Sequence, residues 1–224
     1  MRDLKLAPSI LTADFARIGD EVASVASSVD WFHLDIMDGH YVDNLTFGPA
    51  TVAAIKRSCG TPLHVHLMIT DPLKYAPVFA EAGARRISFH PEVVRDPSEV
   101  IDLLETLGTG AGLAVHPDVA LEPLRDYVDQ VEVLLMMTVR PGFGGQKFLP
   151  EVVPKIKAAR ALVDELGATA AVEVDGGINL STVDVAVEAG ADILVVGSAI
   201  FDGVDPPAAA RVMRDRLREL GSRG

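Results

Sequence analysis

The feature that most restricts this chain's fold is a repeat of texture: short, β-branched apolar runs alternate with longer amphipathic stretches from end to end. Apolar runs of strand length separated by helical periodicity predict βα units and a parallel sheet. Strands are expected at 6–10, 31–35, 63–68, 86–89, 112–115, 131–137, 170–174 and 193–196. Helices are expected at 14–26, 49–58, 72–82, 97–107, 151–166, 181–189 and 205–219, several with proline or a short polar residue at the start. Ala82-Gly83-Ala84, Leu166-Gly167-Ala168 and Ala189-Gly190-Ala191 each punctuate a helix end before the next strand. About eight such units in 224 residues match a closed (β/α)8 TIM barrel, one domain over residues 1–224. An open doubly wound sheet is the competitor, but no Gly-x-Gly-x-x-Gly turn follows the first strand. In a barrel, the long loops 40–47 and 140–149 fall on the C-terminal face, where active sites form.

Composition narrows the function. A hydrophobic content of 49% suits a large core, without an apolar stretch of membrane-spanning length or a basic, apolar-centred leader in residues 1–10. A cytoplasmic protein with no membrane association is therefore expected. The single cysteine, Cys59, cannot form an internal disulfide and reads as a helix-end residue. A net charge of −12 argues against nucleic acid as a partner, and 5% aromatic residues offer no stacking platform. An anionic substrate would have to be held by local devices such as backbone amides.

The stretch Trp31 to Gly39 carries unusual chemistry for an apolar run. Period-2 alternation puts His33, Asp35 and Met37 on one face, and Phe32, Leu34 and Ile36 on the other. Residues 63–68 repeat the arrangement with His64, His66 and Met68, and the run from Val172 ends in Asp175. Two imidazoles and two carboxylates, His33, Asp35, His66 and Asp175, form a ligand set suited to one divalent cation: Zn²⁺, Fe²⁺, Mn²⁺ or Co²⁺. The alternative is a polar core cluster, but burying these groups together without a cation is costly. The carboxylates also suit proton removal beside a ketone, which needs a base near the carbon and a positive centre near the oxygen. If Asp35 and Asp175 approach from opposite sides, one can take the proton and the other return it, inverting a stereocentre.

Glycine clusters supply the rest. Gly142, Phe143, Gly144 and Gly145 follow the sixth strand, Gly176 and Gly177 the seventh, and Gly197 and Ser198 the eighth. Late βα loops bind phosphate in barrels, where glycine lets backbone amides approach oxygens closely. Met37, Met68 and Met137 stand near strand ends and read equally as core filler or as a polarizable cap over the site.

Taken together, Ala7-Pro8-Ser9-Ile10-Leu11, His33-Leu34-Asp35-Ile36-Met37-Asp38-Gly39, His66-Leu67-Met68, Pro141-Gly142-Phe143-Gly144-Gly145-Gln146, Val174-Asp175-Gly176-Gly177-Ile178 and Gly197-Ser198-Ala199-Ile200-Phe201 resemble the ribulose-phosphate 3-epimerase family, in order and across nearly the whole chain. The resemblance implies a TIM barrel interconverting the ketose phosphates D-ribulose 5-phosphate and D-xylulose 5-phosphate through a metal-stabilised cis-enediolate. It implies His33, Asp35, His66 and Asp175 as metal ligands, with Asp35 the proton acceptor and Asp175 the donor in one direction. Ser9 and His66 would contact substrate; Gly142 to Gly145, Gly176, Gly177, Gly197 and Ser198 would hold the phosphate. The methionines match the family's sulfur cap, and family members are commonly homo-oligomers.

Departures from the pattern fall at Asp43, His64, His116, Asp118 and Arg140, outside the metal set. His64 lies one inward layer below His66, where it can pair with Glu173, and Arg140 suits either a phosphate contact or a brace for its loop. An epimerase for a longer ketose phosphate, such as allulose 6-phosphate, is the alternative within this chemistry. A barrel decarboxylase would ordinarily want an inward strand-end lysine, which the pattern does not offer, and a barrel kept only for binding would not need every acid, base and ligand. Asp38 alternates away from Asp35 and is expected to stabilise the turn at Gly39.

Overall fold

Eight strands, buried along most of their length, form one parallel sheet: β1 Lys5–Pro8, β2 Phe32–Met37, β3 Leu63–Met68, β4 Ala84–Phe89, β5 Gly110–Val115, β6 Val133–Met137, β7 Ala171–Asp175 and β8 Ile193–Val196. The computed structural model describes residues 2–222; residues 1, 223 and 224 of the expected domain lie outside them. The ladder runs β1-β8-β7-β6-β5-β4-β3-β2. Its ends meet through a parallel bridge between Ser9 and His33, and Leu6 O accepts from Asp30 N (2.9 Å) and Trp31 N (3.3 Å). The ring is thus nearly closed, and the open doubly wound alternative is set aside.

Burial of both strand faces explains the composition of the runs. Outward-facing Phe32, Leu34, Leu63, Val65, Leu67 and Ile87 pack with the helices into one continuous core. Fully burying each such side chain contributes about 1.5–3 kcal/mol. The helices are α1 Ile18–Val25, α2 Pro49–Ser58, α3 Pro72–Glu81, α4 Pro97–Thr106, α5 Val153–Leu166, α6 Val183–Glu188, α7 Ser198–Phe201 and α8 Pro206–Ser222. Proline opens α2, α3 and α4, while Asp71 and Asp96 cap α3 and α4 by accepting from Lys74 N and Ser98 N. Cys59 ends α2 with its thiol directed at Ile55 O, 3.6 Å away.

Several boundaries differ from the sequence expectation, each for a local reason. The helix expected at 14–26 begins as a 3-10 turn over Phe15–Arg17, because the Asp14 carboxylate accepts from Ala16 N and holds a tight turn before α1. The start expected at 181 moves to Val183, because Asn179 Oδ1 accepts from Ser181 N and Thr182 Oγ1 from Asn179 N. Between β5 and β6 the crossover is a 3-10 run, Glu122–Gln130, buried through Leu124 and Val128. Pro123, Tyr127, Val128 and two aspartates make that stretch a weak α-helix former.

Asp38 ties two loops of the C-terminal face together. Its Oδ1 accepts from His40 N (2.8 Å) and Tyr41 N (2.9 Å), and its Oδ2 from Thr70 N (2.8 Å) and Thr70 Oγ1 (2.9 Å). Burial alone would raise its pKa, but these donors outweigh burial and hold it down to about 2. The folded pKa is depressed, so the carboxylate's contribution is present above about pH 4 and is lost as pH falls towards 2. Partial exposure reduces that contribution to about 1–2 kcal/mol. Asp38→Asn is therefore expected to unfold more easily by that amount at pH 7, with the deficit shrinking at pH 3. Chemical unfolding at both pH values checks this; an equal deficit at both would point to shape rather than charge.

Candidate active site

The inward faces of β2, β3 and β7 converge at their C-terminal ends. In the strand order β2 and β7 stand three steps apart one way and five the other, so Asp35 and Asp175 reach the barrel axis from well-separated sides. One ligand atom from each of His33, Asp35, His66 and Asp175 lies within 4.8 Å of all the others. His33 Nε2 is 3.3 Å from Asp35 Oδ1 and 3.7 Å from Asp175 Oδ2; His66 Nδ1 is 3.2 and 3.9 Å from the same two oxygens. The end of β2 is held by Thr46, whose Oγ1 donates to Asp35 O (2.5 Å) and accepts from Met37 N (3.0 Å).

A second buried layer lies beneath. Glu173 accepts from His33 Nδ1 (3.2 Å) and lies 3.0 Å from His64 Nδ1, and His64 Nε2 meets Ser88 Oγ at 2.7 Å. The expected pairing of His64 with Glu173 is present. Gly112 makes room for it: a Cβ there would overlap Ser88 Oγ. Arg86, stacked over the Trp31 ring at 4.3 Å and bonded to Glu132, brings a positive charge within 4.0 Å of Glu173.

This layer tests whether the upper cluster fits a metal. Glu173 is fully buried, yet the neighbouring His64 and His33 hold its pKa well below the carboxylate range. An ionised carboxylate only accepts, so the Nδ1 atoms of His33 and His64 carry the protons. His33 Nε2 is then a bare lone pair, buried without a hydrogen-bond partner among the described residues and facing two carboxylates. Such an arrangement calls for a cation between lone pair and oxygens, either a proton, on His33 or Asp175, or a metal ion. The carboxylate pressure is visible on His33: burial lowers its pKa, but Asp35, Glu173 and Asp175 together raise it well above the ordinary value. The carboxylates themselves diverge. Burial and the charge of Asp35 push Asp175 up to about 8, whereas His33 and His66 overcome burial and hold Asp35 far below its usual range. The four side chains fit one divalent cation.

Above the cluster is a cavity of about 230 Å³. It is lined by Asp35 and Asp175, by Met37, Met68 and Met137, and by Ser9, Gly142 to Gly145, Gly176, Gly177, Gly197 and Ser198, so the structure brings the sequence-derived set to one place. Ser9 Oγ donates to Asp35 Oδ2 at 2.7 Å, a contact the sequence did not suggest. Gly177 has φ +66°, and a Cβ there would overlap the backbone at Phe148 N, so only glycine fits. The amides of Gly144, Gly145 and Gly177 make no hydrogen bond among the described residues and remain free donors at the cavity wall.

Leu11, Thr12, Val139, Gln146, Lys147 and Asn179 also line the cavity and are not among the site residues expected from the sequence. Thr12 is wedged between two glycine loops, its buried Oγ1 without a hydrogen-bond partner among the described residues. Arg140 braces its loop: it pairs with Asp118 at 2.7 Å and its carbonyl accepts from Gln146 Nε2. Asp43 and His116 line a neighbouring groove with Tyr41, Glu92 and Phe143.

The model of the Ribulose-phosphate 3 epimerase family matches residues 5–201. A ribulose-phosphate 3-epimerase from Mycobacterium leprae is 47% identical over 211 residues, covering 94% of each chain. One from Bacillus subtilis is 43% identical, covering 94% of this chain and 98% of its own. Among solved structures, KGPDC from Streptococcus mutans superposes with a TM-score of 0.76 at 15% identity, covering 98% of this chain and 99% of that one, which speaks to the barrel alone.

Proposed function

This chain belongs to the ribulose-phosphate 3-epimerase family, and we propose that it interconverts D-ribulose 5-phosphate and D-xylulose 5-phosphate by two-base proton transfer through a cis-enediolate. The observation that carries this is the cluster itself: two carboxylates from well-separated strands, each facing imidazole nitrogen, on the floor of a cavity walled by glycine loops.

His33, Asp35, His66 and Asp175 would hold one divalent metal ion per subunit, Zn²⁺, Fe²⁺, Mn²⁺ or Co²⁺. That ion supplies, when bound, positive charge to stabilise the enediolate oxygens. Asp35 takes the C3 proton of one epimer and Asp175 delivers a proton to the opposite face; in the reverse direction their roles exchange. The hydrogen bond from Ser9 Oγ orients the Asp35 carboxylate, and His66 Nδ1 holds its other oxygen at 3.2 Å. The free amides of Gly144, Gly145 and Gly177, with Gly142, Gly176, Gly197 and Ser198 beside them, suit the phosphate end. Backbone donors and the nearby Lys147 offset a chain charge of −12 where the anion docks. Met37, Met68 and Met137 close the other side with a water-excluding, polarizable surface.

No helix among the described residues is long and apolar enough to cross a membrane; a cytoplasmic homo-oligomer is the setting this proposal carries with it. Turnover measured side by side on D-ribulose 5-phosphate and allulose 6-phosphate tests the substrate. A kcat/KM higher for the pentulose is expected, and a clear preference for the hexulose phosphate would overturn the assignment.

A further inference from the structure

His66 uses both ring nitrogens. Nδ1 is hydrogen-bonded to Asp35 Oδ1 at 3.2 Å and lies 3.9 Å from Asp175 Oδ2, while Nε2 lies 2.9 Å from Nε2 of His90, which is fully buried. Two imidazole nitrogens at that distance share one proton, and its owner is decided on the far side of His90. There, His90 Nδ1, buried without a hydrogen-bond partner among the described residues, has Glu92 Oε1 3.3 Å away, and the same oxygen accepts from Tyr41 Oη at 2.8 Å. The rings of Tyr41 and His66 pack against His90 at 4.6 and 5.1 Å.

A neutral imidazole has one N–H, and a carboxylate can only accept. With the His90 proton on Nδ1, facing Glu92, His90 Nε2 is a bare acceptor and the proton of the His66 contact must sit on His66 Nε2. His66 then turns a bare Nδ1 lone pair towards Asp35 and Asp175, the state a metal ligand requires. The opposite placement, with His66 Nδ1 donating to Asp35 Oδ1 at 3.2 Å, is the one open to the metal-free chain; it leaves a lone pair on His90 Nδ1 facing the Glu92 carboxylate, and an ion on His66 Nδ1 removes it.

We propose that Glu92, acting through His90, is a positioning residue for the metal centre, holding His66 in the tautomer that presents Nδ1 to the ion. His33 is served in parallel by Glu173 from inside the barrel; the His66 chain instead runs outward, to Glu92 in the loop after β4 and Tyr41 in the loop after β2. The inference rests on the proposed metal site. Groups of this kind commonly govern affinity for the ion by about 10–100-fold.

The test uses the full chain with Zn²⁺ as probe. Affinity is measured by competition with a chelator, and the His66 tautomer by imidazole ¹⁵N shifts of the Zn²⁺ form. Glu92 has an exposed side, so Glu92→Ala should fold, and an unchanged unfolding midpoint of the metal-free variant verifies that. Glu92→Ala is expected to bind Zn²⁺ about 10–100-fold more weakly and to shift His66 towards mixed tautomers. Glu92→Gln, whose amide oxygen can still accept from His90 Nδ1, should recover most of the affinity. The positioning role is overturned if Glu92→Ala binds within twofold of wild type, or if Glu92→Gln is no better than Glu92→Ala. A wild-type chain that binds no Zn²⁺ would instead remove the metal site itself, and the positioning role with it.

Discussion

Asp175→Asn is expected to lower kcat for epimerisation by about a thousandfold or more, equivalent to about 4 kcal/mol of transition-state stabilisation. The substitution is nearly isosteric, so the strand end should survive while the side chain loses its ability to accept or deliver a carboxylic proton. The informative part is an asymmetry. If Asp35 and Asp175 serve opposite faces of a planar intermediate, the variant retains a base for one epimer and lacks it for the other. Solvent deuterium should then enter C3 of one epimer without inversion, while the other stays unexchanged. Asp175 also belongs to the cluster within 4.8 Å, so metal content must be measured in parallel. Equal loss of exchange from both epimers, with lost metal, would indicate a ligand role alone; near-wild-type epimerisation would rule out two-base transfer.

The parts of this site legible in the sequence were those carried by period 2. Alternation along β2 and β3 places His33, Asp35, Met37, His64, His66 and Met68 inward, and the paired register His33–His64 and Asp35–His66 stacks them in layers. Convergence with Asp175 is a property of ring closure, which no local pattern encodes. Thr12, in a 3-10 turn, and Lys147 and Asn179, in loops, were not legible because a single polar residue there has no periodic partner to mark it. His90 is a different case. Arg86 and Ser88 pair with His64 and His66 across β4, so His90 continues the same inward series. The expected strand ended at 89, one residue short of it. The alternation reaches His90, but Pro91 cannot continue the ladder, so the strand pattern stops beside it.

Stripping the metal is expected to abolish turnover and also to loosen the barrel. Without a metal, the charge of Asp35 and Asp175 must be offset by protons, on Asp175, whose pKa is pushed up to about 8, and on His33, whose Nδ1 already faces Glu173. A buried imidazolium neutralises less charge than a divalent cation. A ligand that binds only the folded state stabilises it by about 4 kcal/mol at a thousand times its Kd. For a chain of this size each kcal/mol moves Tm by roughly 2–4 °C, so saturating metal should raise Tm by about 8–16 °C over the stripped protein. Elemental analysis of protein purified without chelator or added metal, followed by activity and unfolding before and after stripping, measures both effects. Full activity in a demonstrably metal-free sample would refute the cation's role. Lost activity with unchanged Tm would place its binding elsewhere than the strand-end cluster, because that cluster joins β2, β3 and β7, and a cation shared by three strands must couple to the unfolding of all of them.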